Sequence, residues 1–201
     1  MLVLGVNAFH ADSAAALIED GRLVAAAEEE RFRRVKHWAG FPSEAIRYCL
    51  EEAGASVSDL DRVAVNQDSR ANLWRKIEYT AREKPGLGLV LDKIRNKRER
   101  AGILSHLEAA FPGEVIRAVA DPVEHHLAHL SSAYHVSSFD EAVIVSVDGF
   151  GDFASSAWGV GRGADIELEG KVYFPHSLGV FYQALTVYLG FRHYGDEYKI
   201  M

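Results

Sequence analysis

One cysteine, Cys49, is all that the 201 residues contain, so no disulfide can close within the chain. A reducing cytoplasm is the compartment this composition suits. No apolar run approaches the ~18 residues that cross a bilayer, and no membrane partner is expected. Met1 to Val6 is too short, and lacks the basic flank, to act as a secretory signal. Positive charge is also scarce: 22 Lys and Arg against 29 Asp and Glu leave a net charge of −7. That balance argues against a nucleic-acid surface as the main function. The one basic run, Lys93, Arg95, Lys97, Arg98 and Arg100, has no interleaved aromatics and reads as a solvated helix face rather than a phosphate or nucleic-acid patch. What remains is an ordinary globular composition, 48% apolar and 25% charged, with length for one domain or two small ones. Cys49 itself falls in an amphipathic helix and reads as core. Tyr198 to Met201 carries no capping glycine or polar tail, so the chain is expected to be a truncated piece or an ordered portion of a longer protein.

Periodicity sets the order of elements. Leu2 to Asn7, Ala14 to Glu19 and Arg22 to Ala27 read as strands, with Asp20-Gly21 as a two-residue hairpin turn. Pro42-Ser43 opens a helix that runs to Ala53 and ends at Gly54. Further strands are predicted at Asp61 to Asn66 and Glu114 to Val119. Ser69 to Phe111 reads as a charged helical insertion, broken at Pro85 to Gly88. From Ala142 the opening order recurs: strands Val143 to Asp148, Ala154 to Val160 and Asp165 to Val172, then a helix from Ser177 to Leu189. Duplicated β-β-β-α units are the plan of the actin, hexokinase and Hsp70 (ASKHA) superfamily, whose lobes are RNase H-like. The expected fold is therefore α/β, with a first lobe (1–140) carrying the insertion at about 69–111, and the start of a second lobe (141–201).

Within that frame, His125 and His129 stand four apart on a helix, so both imidazoles project from one face. Asp148 follows at the end of an apolar strand. Two imidazoles and a carboxylate are the donors of a zinc or iron(II) site with open positions; the alternative is a helix His pair and an unrelated turn Asp. The first hairpin loop holds Asn7, His10 and Asp12. His10 suits general-base work on a hydroxyl, while a turn held by Asn, Asp and Ser side chains would look the same. Glu28 to His37 is a run of acids then bases, ordinarily a solvated charge run, but it follows a buried strand directly, and Lys36 there could hold a carboxylate, carbamate or phosphate oxygen. Asp148-Gly149-Phe150-Gly151-Asp152 offers glycine N–H groups to an anion, or is a plain hairpin loop. His126, His135, His176 and His193 have no partner at ligand spacing and read as structural.

Taken in order, Gly5-Val6-Asn7, His10 with Ser13 to Leu17, Asp20-Gly21, Glu28 to Phe32, Lys36-His37, Phe41-Pro42, His125-His126-x-x-His129, Ser132 to Tyr134, Asp148-Gly149-x-Gly151 and Gly195 to Lys199 resemble the antibiotic and nodulation-factor O-carbamoyltransferase family. The resemblance runs from Met1 to Met201. It implies an N-terminal domain similar to the tRNA threonylcarbamoyladenosine-forming enzymes, followed by a YrdC-like domain that makes carbamoyl-adenylate from carbamoyl phosphate and ATP with Mg. The N-terminal domain then moves the carbamoyl group to a hydroxyl of a natural-product or oligosaccharide acceptor. The metal implied is iron(II), with zinc or manganese as alternatives, on His125, His129, Asp148 and a further Asp downstream. His10 and Lys36 match the family's catalytic histidine and lysine, with Asn7, Asp12, Gly149 and Gly151 at the carbamoyl-adenylate. His10 is followed by Ala11-Asp12-Ser13, where the family more often has Asp-Ala-Ser. The chain alone is expected to be inactive, and a homodimer is compatible with it. Two other readings stand beside this one: a metal-independent sugar or acid kinase on the same fold, and a non-catalytic regulatory module whose partner docks near Lys93 to Arg100.

Overall fold

The computed structural model describes residues 1–83, 102–193 and 195–200. The chain runs through β1 (Leu2–Asn7), β2 (Ala14–Glu19), β3 (Arg22–Glu28), α1 (Glu30–Arg33), α2 (Ser43–Ala53), β4 (Arg62–Val65), α3 (Leu73–Glu83), α4 (Ile103–Ala110) and β5 (Val119–Pro122). It continues through α5 (His125–Tyr134), β6 (Glu141–Gly151), β7 (Ala154–Arg162), β8 (Asp165–Tyr173) and α6 (Leu178–Tyr188). Two compact units result: one of residues 1–66 and 102–123, the other of residues 67–83, 124–193 and 195–200. None of the described helices is long and apolar enough to cross a membrane.

In the first unit the sheet order is β3-β2-β1-β4-β5. The first three strands are antiparallel and β4 and β5 join in parallel. This is the strand order of an RNase H-like lobe, the fold class expected from the sequence. Alternation along β1 sends Leu2, Leu4 and Val6 inward. They meet Ala45, Ile46, Cys49 and Leu50, the inward stripe of α2, and Ile103 and Leu107 of α4. Leu4, Leu17, Ile46, Cys49, Val57, Val63 and Leu107 are all buried to 1% or less, and each large apolar side chain so buried contributes roughly 1.5–3 kcal/mol. The β2–β3 turn, Asp20-Gly21, has φ of 48° and 82°, the paired positive values of a type I′ hairpin. Gly54 ends α2 in the left-handed region at φ 62°.

The second unit is built on an antiparallel sheet of order β6-β7-β8. One face is covered by α5, whose Leu130 and Tyr134 pack on Ile144 and Ala157. The order β-β-β-α repeats that of the first unit.

Several boundaries differ from the sequence expectation, most of them by one or two residues. Residues 114–118 are not strand; β5 begins at Val119, where parallel register with Arg62 of β4 is available. The predicted strand 143–148 extends to Gly151, and the turn moves to Asp152-Phe153. In the second unit the stretch that starts at Glu124 includes α5, which packs on β6 and β7. Of the predicted helical stretch 69–111, α3 and α4 are observed; the break at Pro85 to Gly88 and the basic run Lys93 to Arg100 lie outside the described residues.

Candidate metal centre

Helix α5 begins at a built N-terminus. Glu124 accepts the Leu127 N–H at 2.9 Å as the N-cap. Its other oxygen meets Lys171 of β8 at 2.9 Å, both side chains nearly buried. Burial works against the Glu124 carboxylate, but Lys171 and the Leu127 N–H together hold it below the ordinary glutamate range. One residue on, the His125 N–H donates to Asp152 Oδ2 at 3.0 Å, and the Asp68 N–H donates to the same oxygen at 2.8 Å. Asn72 Nδ2 reaches the Asp152 carbonyl at 2.8 Å. Burial pushes the Asp152 carboxyl up, against these N–H donors. Asp152 and Phe153 form the β6–β7 turn at φ 47° and 73°. This turn is unfavourable for side-chain-bearing residues, and Phe153 is packed against Tyr79 and Phe174.

With the helix fixed in this way, His125, His129 and Asp148 converge. His125 Nε2 lies 2.8 Å from Asp148 Oδ2, His129 Nε2 is 3.1 Å from His125 Nε2, and His129 Nε2 is 3.6 Å from Asp148 Oδ2. Donors ~2.1 Å from one ion and roughly 90–110° apart stand about 3.0–3.4 Å from each other. The three observed separations straddle that range, so the set fits a divalent metal. The hydrogen bonds from His125 and then His129, against the opposing effect of burial, hold Asp148 far below the usual carboxylate range. Its Oδ1 accepts the Gly149 N–H at 2.6 Å, which fixes the carboxylate plane. The side chains of His129 and Asp148 are 49% and 39% exposed, leaving one side of the cluster accessible.

Around the cluster, His126 is fully buried with Nδ1 at 2.9 Å from Ser146 Oγ, as its expected structural role requires. Burial lowers its pKa, favouring the neutral ring. Ser177 Oγ donates to the Asp148 and Gly149 carbonyls. Gly151 has the His125 ring where a Cβ would stand.

The remaining sequence candidates lie in the first unit. Asn7 Nδ2 donates to the Asp12 carbonyl at 2.9 Å and closes the β1–β2 loop that holds His10. Lys36 is exposed and, with Glu30, Arg31 and Arg34, lines a depression of about 170 Å³. Asp12 Oδ1 stands 2.9 Å from His37 Nδ1. Sequence reasoning assigned no role to Asp152, Ser177 or His37. The Asp152 contacts join residues 84 and 27 positions apart, which no local spacing reveals.

Comparison with known proteins places the chain. The carbamoyltransferase N-terminus family matches residues 2–201, and the chain belongs to that family. An uncharacterised protein of Synechocystis sp., sll1178, is 37% identical over 99% of this chain and 34% of its own length. The nodulation protein NolNO of Sinorhizobium fredii is 36% identical over 97% of this chain and 28% of its own. The chain thus spans about a third of the length of the curated relatives it matches. Among solved structures, YeaZ from Pseudomonas aeruginosa is similar at a TM-score of 0.46 and 17% identity, covering 87% of this chain and 67% of that one.

Proposed function

We propose that this chain carries the carbamoyl-transfer site of an O-carbamoyltransferase, moving a carbamoyl group from carbamoyl-adenylate to an acceptor hydroxyl. The observation that carries the reading is the convergence of His125, His129 and Asp148 in a chain matched throughout by the carbamoyltransferase N-terminus family. An ion bound there, iron(II) before zinc or manganese, would supply Lewis-acid polarisation of the carbonyl. The protein's own groups do the rest. His125 and His129 present neutral nitrogens, Asp148 presents one charged oxygen, and Gly149 N–H keeps that oxygen's partner turned away. Lys36 places a point charge beside the phosphate or carbonyl oxygen of the donor. Asn7 and Asp12 shape the loop that holds His10, and His10, by the sequence resemblance, is the group that takes the hydroxyl proton. AMP leaves with the electron pair of the broken carbonyl C–O bond. Carbamoyl phosphate, ATP with Mg and a YrdC-like domain would supply the donor in a protein of its relatives' length. The acceptor would be a natural product, such as an antibiotic, or an oligosaccharide. The reading is that of a cytoplasmic enzyme without a nucleic-acid or membrane partner.

The test is metal binding by the chain itself, followed by transfer in the protein extended to its relatives' length. Anaerobic titration with Co(II), followed by d–d absorbance, is expected to show one site. His129→Ala should weaken it by at least the 10–100-fold typical of a disturbed metal shell. An extended protein that carries no transition metal after anaerobic purification, yet transfers carbamoyl normally as Asp148→Asn, would overturn the assignment.

A further inference from the structure

The first N–H groups of a helix have no acceptor within it. At α5 two carboxylates take them: Glu124 accepts from Leu127, and Asp152 Oδ2 accepts the His125 N–H at 3.0 Å. The same Oδ2 accepts the Asp68 N–H at 2.8 Å, and the Asp152 carbonyl accepts Asn72 Nδ2 at 2.8 Å. One residue therefore holds both the backbone of a candidate donor and the entry to α3. That entry is itself a built turn. Asp68 Oδ1 accepts the Arg70 N–H at 2.8 Å, the Asp68 carbonyl accepts the Ala71 N–H at 3.0 Å, and the Asn72 carbonyl accepts the Lys76 N–H at 3.1 Å.

The junction is strained. Asn72, Asp152 and Phe153 have φ of 55°, 47° and 73°, a region that side-chain-bearing residues avoid. Such conformations persist where surrounding contacts over-determine them, often at functional sites. Helix α3 buries none of its residues, and Leu73, Trp74 and Ile77 are exposed. Tyr79 sets its ring edge-on to Phe153 and Phe174, with centroids 5.7 and 4.9 Å apart, and the Arg75 guanidinium lies 5.0 Å from the Tyr173 ring. Phe153 directly follows Asp152, so ring packing and hydrogen bonds bear on the same turn. A helix without a buried side chain is a segment of low local stability, and its placement leans on this turn.

We infer that Asp152 is a positioning residue for His125 and couples the candidate metal centre to segment 68–83. The inference rests on the reading of His125, His129 and Asp148 as metal donors. The acceptor that fixes the His125 backbone also fixes Asp68, so ordering one side orders the other. Gly151 meets the His125 ring from the same turn, so a shift of the turn reaches both the backbone and the ring of His125. Linkage makes the coupling reciprocal: metal binding at the cluster tightens segment 68–83, and loosening α3 weakens metal binding.

The experiment uses the 201-residue chain, Co(II) as the probe, and hydrogen–deuterium exchange read by mass spectrometry. Asp152→Gly removes the carboxylate and suits the positive φ, while Asp152→Asn keeps an acceptor oxygen on a residue that tolerates the same backbone. Asp152→Gly should weaken Co(II) binding about 10–100-fold, and Asp152→Asn should recover part of the loss. In the parent, saturating Co(II) should slow exchange across residues 68–83, and this slowing should vanish in Asp152→Gly. Tyr79→Ala, which removes the ring on Phe153 and Phe174, should weaken Co(II) binding about 5-fold, the lower end of ordinary coupling between sites. It should add nothing in the Asp152→Gly background. Exchange in β7 and β8 should be the same in every variant, showing the sheet intact. Unchanged Co(II) affinity in Asp152→Gly overturns the assignment, as does lowered affinity while exchange across 68–83 in the parent ignores Co(II); both leave the metal reading standing. If β7 and β8 loosen in Asp152→Gly, Tyr79→Ala decides: lowered affinity with the sheet protected supports the coupling, and unchanged affinity overturns it. A parent chain that binds no Co(II) removes the metal reading and the inference together.

Discussion

Gly151 shows how narrowly a single residue can set the His125–His129–Asp148 cluster. A Cβ there would lie 1.9 Å from Cδ2 and 2.1 Å from Cγ of His125, far inside van der Waals contact, so any side chain must displace the ring that carries a candidate donor nitrogen. Gly151→Ala is therefore expected to weaken Co(II) binding about 10–100-fold, the usual consequence of moving a ligand's support. Because Gly151 is at the end of a hairpin, its thermal midpoint should change little. Unaltered Co(II) affinity would show that the ring has room the structure denies it. The convergence of the three candidate donors was legible in the sequence: helical period aligned His125 with His129, and the apolar run before Asp148 marked a strand end. The glycine was legible only as one of two things. A Gly-x-Gly after a strand can open backbone N–H groups to an anion or make space for a neighbour, and only the position of a ring 26 residues upstream decides. Gly149 differs in turn: its N–H is engaged by Asp148 Oδ1.

At the scale of elements, Glu29 governs the start of α2. Pro42 occupies the N-cap and supplies no side-chain cap. Instead the fully buried Glu29 carboxylate accepts Glu44 N–H at 3.0 Å and Ala45 N–H at 2.8 Å, and Arg33 Nε at 2.7 Å. It thus joins the end of β3 to a helix that begins fourteen residues later. A lost cap costs ~0.5–2 kcal/mol and stranding buried donors costs ~1–3 kcal/mol. Glu29→Ala is therefore expected to destabilise the chain by about 2–4 kcal/mol in urea unfolding, and Glu29→Gln by less, since one acceptor oxygen survives. A loss below ~0.5 kcal/mol, the level of ordinary surface substitutions, would show that water satisfies these N–H groups. In sequence Glu29 sits in Glu28-Glu29-Glu30, where three like residues give no hint that the middle one is buried. The boundaries of α2 were legible from Pro42 and Gly54 because both are local signals. The start of β5 was not, because Val115 and Ile116 are as β-prone as Val119 and only pairing with β4 selects the register.

For the molecule as a whole, the two units treat equivalent strands differently. On β1, Leu2, Leu4 and Val6 are 8%, 0% and 4% exposed, whereas on β6, Val143, Val145 and Val147 are 76%, 63% and 54% exposed. The strands open the same β-β-β-α order, and the difference lies in what covers them. Helices α2 and α4 supply Ile46, Leu50, Ile103 and Leu107 to the first core, while α5 takes the opposite face of β6 through Ile144. Trp158, paired across from Val145, extends the uncovered face, and Leu178, Phe181 and Tyr188 of α6 are also exposed. Apolar side chains left exposed side by side on one sheet face favour association. The 201-residue chain is accordingly expected to bind 8-anilinonaphthalene-1-sulfonate in its folded state and to sediment faster as its concentration rises. Val143→Thr with Val145→Thr keeps β-branched side chains on the strand while adding hydroxyls to water. That double variant should lower dye fluorescence and self-association together, and exposed substitutions of this type shift stability by only about ±0.5 kcal/mol each. At ~2–4 °C per kcal/mol for a chain of this size, its thermal midpoint should stay within about 4 °C of the parent. A drop well beyond that, with dye binding unchanged, would mean that the valines are packed and that the dye reports another surface.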